Sequence, residues 1–205
     1  MLNSPRIDYD WDLILKAQEI ATRQHESQYR KGTSIPYILH PNEVANAIYR
    51  MHGSTAQVCA AYLHDTIEDT SYTLDELLVD FNQEIYDLVN FCTENMEEKG
   101  PIHSKSSWKS RKQEVIEKVQ GANNQQLVLI FADKYCNLES FCREQKDEGI
   151  EFWSRFNGTR DEQHWFYSTL FLTFEKELGC DPRYEPLVNE YRSKLECLWP
   201  DMFVN

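Results

Sequence analysis

An all-α fold is what this 205-residue chain predicts. Three observations carry that expectation. Apolar residues recur at three- and four-residue spacing along most of the chain, no segment alternates apolar and polar residues as a half-buried strand would, and capping residues precede many of the apolar runs. Asp10 stands ahead of Leu13, Ile14, Ala17, Ile20 and Ala21, which share one face of a first helix. Asn42 is placed to cap a second helix with Val44, Ala45 and Ile48 inward. Ser54 opens a third, which runs through the apolar stretch Val58 to Leu63 into His64-Asp65-Thr66-Ile67-Glu68-Asp69. Thr73-Leu74-Asp75-Glu76 reads as a capping box before Leu77, Leu78 and Phe81, and Ile85, Leu88, Val89 and Cys92 follow at helical spacing. Residues 93 to 106 read as a loop. Helices over about 107–119, 126–143, 162–178 and 187–198 complete the chain, with Gly121, Gly149, Gly158 and the Pro182 to Pro186 segment as breaks. Without an internal repeat, low-complexity tract or linker, residues 1–205 are expected to form a single compact domain.

Composition narrows the function. With 41% hydrophobic and 13% aromatic residues the chain can bury a sizeable core. A net charge of −13 argues against a broad nucleic-acid-binding surface, which needs clustered Lys and Arg. Local basic clusters remain at Arg30-Lys31 and at Lys105, Lys109, Arg111 and Lys112. No apolar stretch approaches the ~20 residues that span a bilayer, and the first residues lack the pattern of a signal peptide. Cysteines 59, 92, 136, 142, 180 and 197 form no Cys-x-x-Cys pair, and several fall at apolar helical positions, so buried free thiols and a cytoplasmic protein are expected.

The chemistry concentrates in His64-Asp65-x-x-Glu68-Asp69, four metal-competent side chains within six residues. On a continuous helix His64 and Glu68, and Asp65 and Asp69, would each share a face. Upstream, the segment Tyr29-Arg30-Lys31-Gly32-Thr33-Ser34-Ile35-Pro36-Tyr37-Ile38-Leu39-His40-Pro41 ends an extended, proline-bounded loop at His40. Downstream, Asp133 and Asn137 lie four apart on an otherwise apolar helix, where a carboxylate is costly unless a cation or several donors meet it. His40, His64, Asp65 and Asp133 form a coherent ligand set of two imidazoles and two carboxylates, suited to Mn²⁺, Fe²⁺, Co²⁺ or Zn²⁺. A bound ion would lower the pKa of a coordinated water and polarise a phosphoryl oxygen. Glu68 would then orient or deprotonate the attacking water, and Asp69 would position it or hold a ligand. His25 and His52 match no metal position, His103 and His164 are at best substrate-side candidates, and for each of the four an ordinary surface or satisfied histidine is the favoured reading.

These three ordered motifs together resemble the hydrolase domain of the RelA/SpoT alarmone family, an HD-domain phosphohydrolase. The resemblance runs from about Ala17 to about Phe174, with the C-terminal helices over about 162–198, and is closest in kind to the single-domain small alarmone hydrolases. It implies a compact HD-domain helical bundle, one Mn²⁺ ion, a nucleotide as the small-molecule substrate, and no synthetase module. The implied reaction removes the 3′-diphosphate of guanosine 3′,5′-bis(diphosphate) or its pentaphosphate relative, releasing pyrophosphate and GDP or GTP. Carried over by position, Arg30 and Lys31 would approach the purine and its phosphates, Asn137 the ribose, and Ser140 stands where the family often has Thr. Lys134 stands in place of a frequent Arg and keeps the charge while losing bidentate geometry. One extra residue between Arg30-Lys31 and Pro36-Tyr37 departs from the common pattern and leaves base preference open. The alternatives are a related nucleotide substrate (an adenosine alarmone or the 2′-phosphate of NADPH), a general nucleotide phosphatase of the HD superfamily, and a non-catalytic module that binds a nucleotide or protein. Oligomeric state is not legible.

Overall fold

The computed structural model describes residues 7–93 and 105–202. Among them the elements are helices α1 (Trp11–Gln24), α2 (Leu39–Arg50), α3 (Thr55–Leu63), α4 (Thr66–Asp69), α5 (Leu74–Asp80), α6 (Gln83–Cys92), α7 (Lys105–Gln120), α8 (Asn124–Glu148), α9 (Arg160–Leu178) and α10 (Glu185–Leu198). Short 3₁₀ segments at Gly149–Arg155 and Pro200–Met202 complete the order, and no strand occurs among the described residues. The all-α expectation therefore holds. The loop expected over residues 93 to 106 lies largely outside the described residues, as does His103, and α7 begins before that loop was expected to end.

Capping chemistry explains most helix starts. Asp10 accepts from Leu13 N at 3.0 Å, and Ser54, Thr73, Asn123 and Thr159 each take part in a reciprocal box with the residue three positions on. The second helix departs from expectation. It starts at Leu39 behind an N-cap Ile38 that offers no side-chain acceptor, so Asn42 lies inside the helix and His40 belongs to its first turn. Pro41 is tolerated there because first-turn N–H groups have no intrahelical acceptor to lose. The segment ahead of it folds back on itself: Tyr29 and Pro36 form an antiparallel bridge, with Arg30 N donating to Ile35 O at 2.8 Å and Tyr37 N to Gln28 O at 2.9 Å. Gly32, at φ +74°, forms the tip.

The expected continuous helix through His64 and Asp69 also breaks. α3 ends at Leu63, and α4 restarts as a single turn after Asp65, whose φ of −98° and ψ of −7° lie at the edge of the right-handed helical region. The break is stabilised locally. His64 Nδ1 reaches Ala61 O at 2.8 Å and Thr66 Oγ1 donates to Leu63 O at 2.7 Å, so side chains take carbonyls that a continuing helix would have used.

α8 is the axis of the core. Val128, Leu129, Phe131, Ala132 and Leu138 are fully buried, and α2, α3, α6, α9 and α10 all pack against this helix. Phe131 meets Phe174 edge-to-face at 5.2 Å and stacks near Tyr191 at 5.8 Å. The aromatic segment around 152–167 packs internally: Phe152 and Trp153 lie against Phe141 at 5.4 and 6.0 Å, and Trp153 against Trp199 at 5.1 Å. All six cysteines are free. Cys59 and Cys136 are buried as expected, whereas Cys180, in the turn after α9, and Cys197, on α10, are exposed. No described helix is long and apolar enough to cross a membrane.

Ser54→Ala removes one half of the box that starts α3, where Ser54 Oγ accepts from Gln57 N at 3.2 Å. A loss of about 1 kcal/mol is expected, which at this length lowers the melting temperature by roughly 2–4 °C. Differential scanning calorimetry of the variant checks it, and an unchanged transition would mean the cap contributes nothing.

Candidate functional site

Three helices deliver the ligand set to one point: α2 brings His40, the end of α3 brings His64 and Asp65, and the middle of α8 brings Asp133. His40 Nε2 lies 3.2 Å from Asp133 Oδ1 and 3.7 Å from Asp65 Oδ2, while His64 Nε2 lies 3.1 Å from Asp65 Oδ2 and 3.8 Å from Asp133 Oδ1. Atoms bound to one ion at about 2.0–2.2 Å are spaced about 2.8–4.4 Å apart for angles between perpendicular and linear. The observed spacings fall in that window. His40, His64 and Asp65 form a group able to hold a metal ion, with both histidines buried.

The protonation pattern fits the same conclusion. Ala61 O accepts only, so the proton of neutral His64 sits on Nδ1 and the lone pair of Nε2 faces the carboxylates. That buried Nε2 makes no well-formed hydrogen bond although Asp65 is adjacent. Burial opposes charge on His64, yet the adjacent Asp65 carboxylate, followed by Asp133, raises the imidazole to about 9. Burial dominates at His40 and lowers it. Burial likewise works against the charged form of both carboxylates, but the histidines at Asp65, and Lys134 with the histidines at Asp133, hold them well below the usual range. A field that draws a proton onto a buried imidazole is one that a divalent cation answers more fully.

A second rank of side chains fixes these ligands. Tyr37 donates to Asp65 Oδ2 at 2.6 Å, and burial together with Asp65 lifts its phenol far above the ordinary value, so it stays a donor. Lys134 donates to Asp133 Oδ2 at 2.6 Å, and Asn137 Nδ2 to Asp133 Oδ1 at 2.7 Å. Asn137 Oδ1 accepts from Arg30 at 3.2 Å, and Ser140 Oγ accepts from the same guanidinium nitrogen at 3.0 Å. Ser140 is thus a buried support behind Arg30 and is not among the residues lining the cleft. Glu68 and Asp69 sit on α4 directly after Asp65, Glu68 half-buried and Asp69 exposed, and Gln28 Nε2 holds the Asp69 carbonyl at 2.6 Å.

Beside the ligand cluster opens a cleft of about 260 Å³. Arg30, Lys31, Tyr37, Lys112, Lys134 and Asn137 line its polar side, and Trp108, Phe141, Phe156, Phe166 and Tyr167 its aromatic side. The second basic cluster of the sequence is therefore divided: Lys112 enters the cleft, whereas exposed Lys109 lies over Trp165 at 5.2 Å. The hairpin tip is clasped from outside. Arg155 donates to Glu144 Oε2 at 2.5 Å and to Lys31 O at 3.4 Å, and its Cδ would lie 2.8 Å from a Cβ at Gly32. His25 is buried beside Tyr37 at 4.8 Å, and His52 is an exposed residue at φ 56°. His164 packs near Trp199 at 5.4 Å.

Sequence reasoning missed Tyr37 and the aromatic wall. Tyr37 stood in plain view between Pro36 and His40, but only the hairpin turns its hydroxyl onto Asp65. The wall residues share helical spacing with core residues, so nothing local separates them.

A family model described as HD domain matches residues 17–160. The chain belongs to the HD domain family. Among curated relatives of this HD-domain chain, the MESH1 guanosine-3′,5′-bis(diphosphate) 3′-pyrophosphohydrolases of Xenopus tropicalis and Homo sapiens are 39% and 41% identical over 89 and 85 residues. These alignments cover 42% and 40% of this chain and 50% and 48% of the relatives. A probable GTP pyrophosphokinase of Mycobacterium leprae is 41% identical over 81 residues, 40% of this chain and 10% of that protein. The chain thus spans from about a tenth to half the length of these relatives. Among solved structures, lmo0812 of Listeria monocytogenes EGD-e superposes with a TM-score of 0.67 at 31% identity, covering 78% of this chain and 99% of that one. A metazoan ortholog of SpoT described as hydrolyzing ppGpp superposes with a TM-score of 0.68 at 17% identity, covering 97% and 99%, and shares the fold.

Tyr37→Phe deletes only the hydroxyl that orients Asp65. It is expected to weaken divalent-metal affinity about 10–100-fold with an unchanged far-UV circular dichroism spectrum. Calorimetric titration of metal-stripped protein with Mn²⁺ makes the comparison, and equal affinities would remove Tyr37 from the site.

Proposed function

We propose that this chain is a Mn²⁺-dependent phosphohydrolase that removes the 3′-diphosphate from guanosine 3′,5′-bis(diphosphate) or its pentaphosphate relative. One water is consumed, and pyrophosphate leaves together with GDP or GTP. The observation that carries this reading is the cluster of His40, His64, Asp65 and Asp133 at 3.1–3.8 Å spacing, opening onto a cleft with four cationic side chains in a protein of net charge −13. Local field, not net charge, governs a polyphosphate in that cleft. The resemblance to MESH1 names the reaction class.

The four residues His40, His64, Asp65 and Asp133 would hold the ion, two nitrogens and two carboxylate oxygens without a thiolate. When bound, it supplies a Lewis acid for the phosphoryl group and makes water a nucleophile near neutral pH. Glu68 takes the proton of the attacking water, and Asp69, anchored through its carbonyl by Gln28, positions that water. Arg30, braced by Asn137 and Ser140, is pre-oriented toward the cleft and pays little entropy on binding. Lys31, Lys112 and Lys134 neutralise phosphate oxygens, Lys134 while also holding Asp133.

Metal-stripped protein incubated with guanosine 3′,5′-bis(diphosphate) is expected to yield GDP and pyrophosphate by anion-exchange chromatography only when Mn²⁺ is restored. Orthophosphate as the product would move the reading to a nucleotide phosphatase, and unchanged substrate would end it. Substituting Fe²⁺, Co²⁺ or Zn²⁺ in the same assay ranks the ions. Glu68→Gln is expected to lower kcat by about 10²–10⁴-fold with Mn²⁺ binding retained, and near-normal turnover would end the general-base assignment.

A further inference from the structure

We propose that the side-chain carboxamide of Gln163 reads the edge of a purine base held at the aromatic end of the cleft, an inference that rests on the nucleotide substrate proposed above. Gln163 lies in the first turn of α9, 5% exposed, and lines the cleft. Its backbone N–H is used by the helix start, donating to Thr159 O at 2.9 Å, but its side-chain amide makes no hydrogen bond among the described residues. Lining the cleft without a protein partner among the described residues, the amide can hydrogen-bond a ligand that enters it.

What surrounds it fixes the class of ligand. Phe166 and Tyr167 follow Gln163 by three and four positions and so share its face of α9. Trp108 meets Phe166 edge-to-face at 6.2 Å. Trp108 is seated by Gly158, where a Cβ would lie 2.9 Å from the indole ring. Flat aromatic surfaces around a single amide suit a flat heterocycle, because stacking is tolerant of base identity and the amide supplies the directional contact. A carboxamide presents one donor and one acceptor side by side. The Nε2 group can donate to guanine O6 while Oε1 accepts from N1–H, and a half-turn of the amide serves N1 and the exocyclic amine of adenine. Arg30, Lys31 and Lys112 line the same cleft and leave the phosphates of such a nucleotide toward the metal ligands.

The test separates base reading from folding and from catalysis. Mn²⁺-loaded wild type and Gln163→Leu are titrated calorimetrically with GDP, with N1-methyl-GDP and with ribose 5-phosphate, which has no base. GDP is expected to bind the variant about tenfold more weakly. The wild type should discriminate against the N1-methyl compound while the variant does not, and ribose 5-phosphate should bind both alike. Equal GDP affinity in the two proteins, or an equal loss for ribose 5-phosphate, overturns the proposal in favour of a structural residue. Because no turnover is involved, failure of the hydrolysis assay leaves this result interpretable on its own, and absence of GDP binding by the wild type overturns the proposal.

Discussion

Everything around the site answers one electrostatic demand, which is that two carboxylates and two imidazole lone pairs be held within a few ångströms of one another, largely out of water. Such an arrangement is unfavourable by itself. Partners therefore meet most of these groups: Ala61 O takes the His64 proton, Tyr37 holds Asp65 Oδ2, Lys134 holds Asp133 Oδ2, and Asn137 braces Asp133 Oδ1 while receiving Arg30, whereas the buried His40 Nδ1 meets none among the described residues. The hairpin, the helix break at His64 and the placement of α8 are the means by which those partners arrive. Removing any one of them leaves a buried charge without its counterweight.

The distribution of charge follows from the same demand. A chain of net −13 nonetheless sets four basic side chains, Arg30, Lys31, Lys112 and Lys134, around the cleft beside the ligand cluster. Under the proposed function the two kinds of wall in that cleft would divide the work of recognition, the cationic side neutralising charge and the aromatic side supplying area. Neither would hold a nucleotide well alone, since screened charge is unspecific and bare stacking is indifferent to what it carries.

Much of this was legible in the amino-acid order, for identifiable reasons. Asp10, Ser54, Thr73 and the apolar periodicities are local signals, and local signals survive folding. His40, His64, Asp65 and Asp133 were legible because their chemistry is poorly explained by packing, so an inward carboxylate on an apolar helix stands out. The helix break between His64 and Asp65 was not, because it arises from side-chain bonds to Ala61 and Leu63 that compete with the helix and carry no distinctive composition. Asn42 looked like a cap because Asn often is one; the hairpin closed by Tyr29 and Pro36 started the helix four residues earlier. Gln163 and Trp108 gain meaning only from which residues the tertiary fold sets beside them. Ser140, expected among the substrate-binding residues from its position in the motif, instead braces Arg30 from behind and does not line the cleft.

α8 carries Asp133 and Asn137 at the ligand cluster and Phe141 at the aromatic wall on one uninterrupted helix. At 1.5 Å per residue, Asp133 and Phe141 are about 12 Å apart along its axis. That helix acts as a ruler between the reacting end and the recognising end of a ligand. A single residue inserted between them would lengthen it by about 1.5 Å and swing everything beyond by about 100°. The hairpin between Tyr29 and Pro36, by contrast, lies between helices, where its length can change without altering the spacing along α8. Length variation is thus confined by geometry to the loops that border the cleft, and the spacing that matters for a substrate is fixed where no loop can alter it.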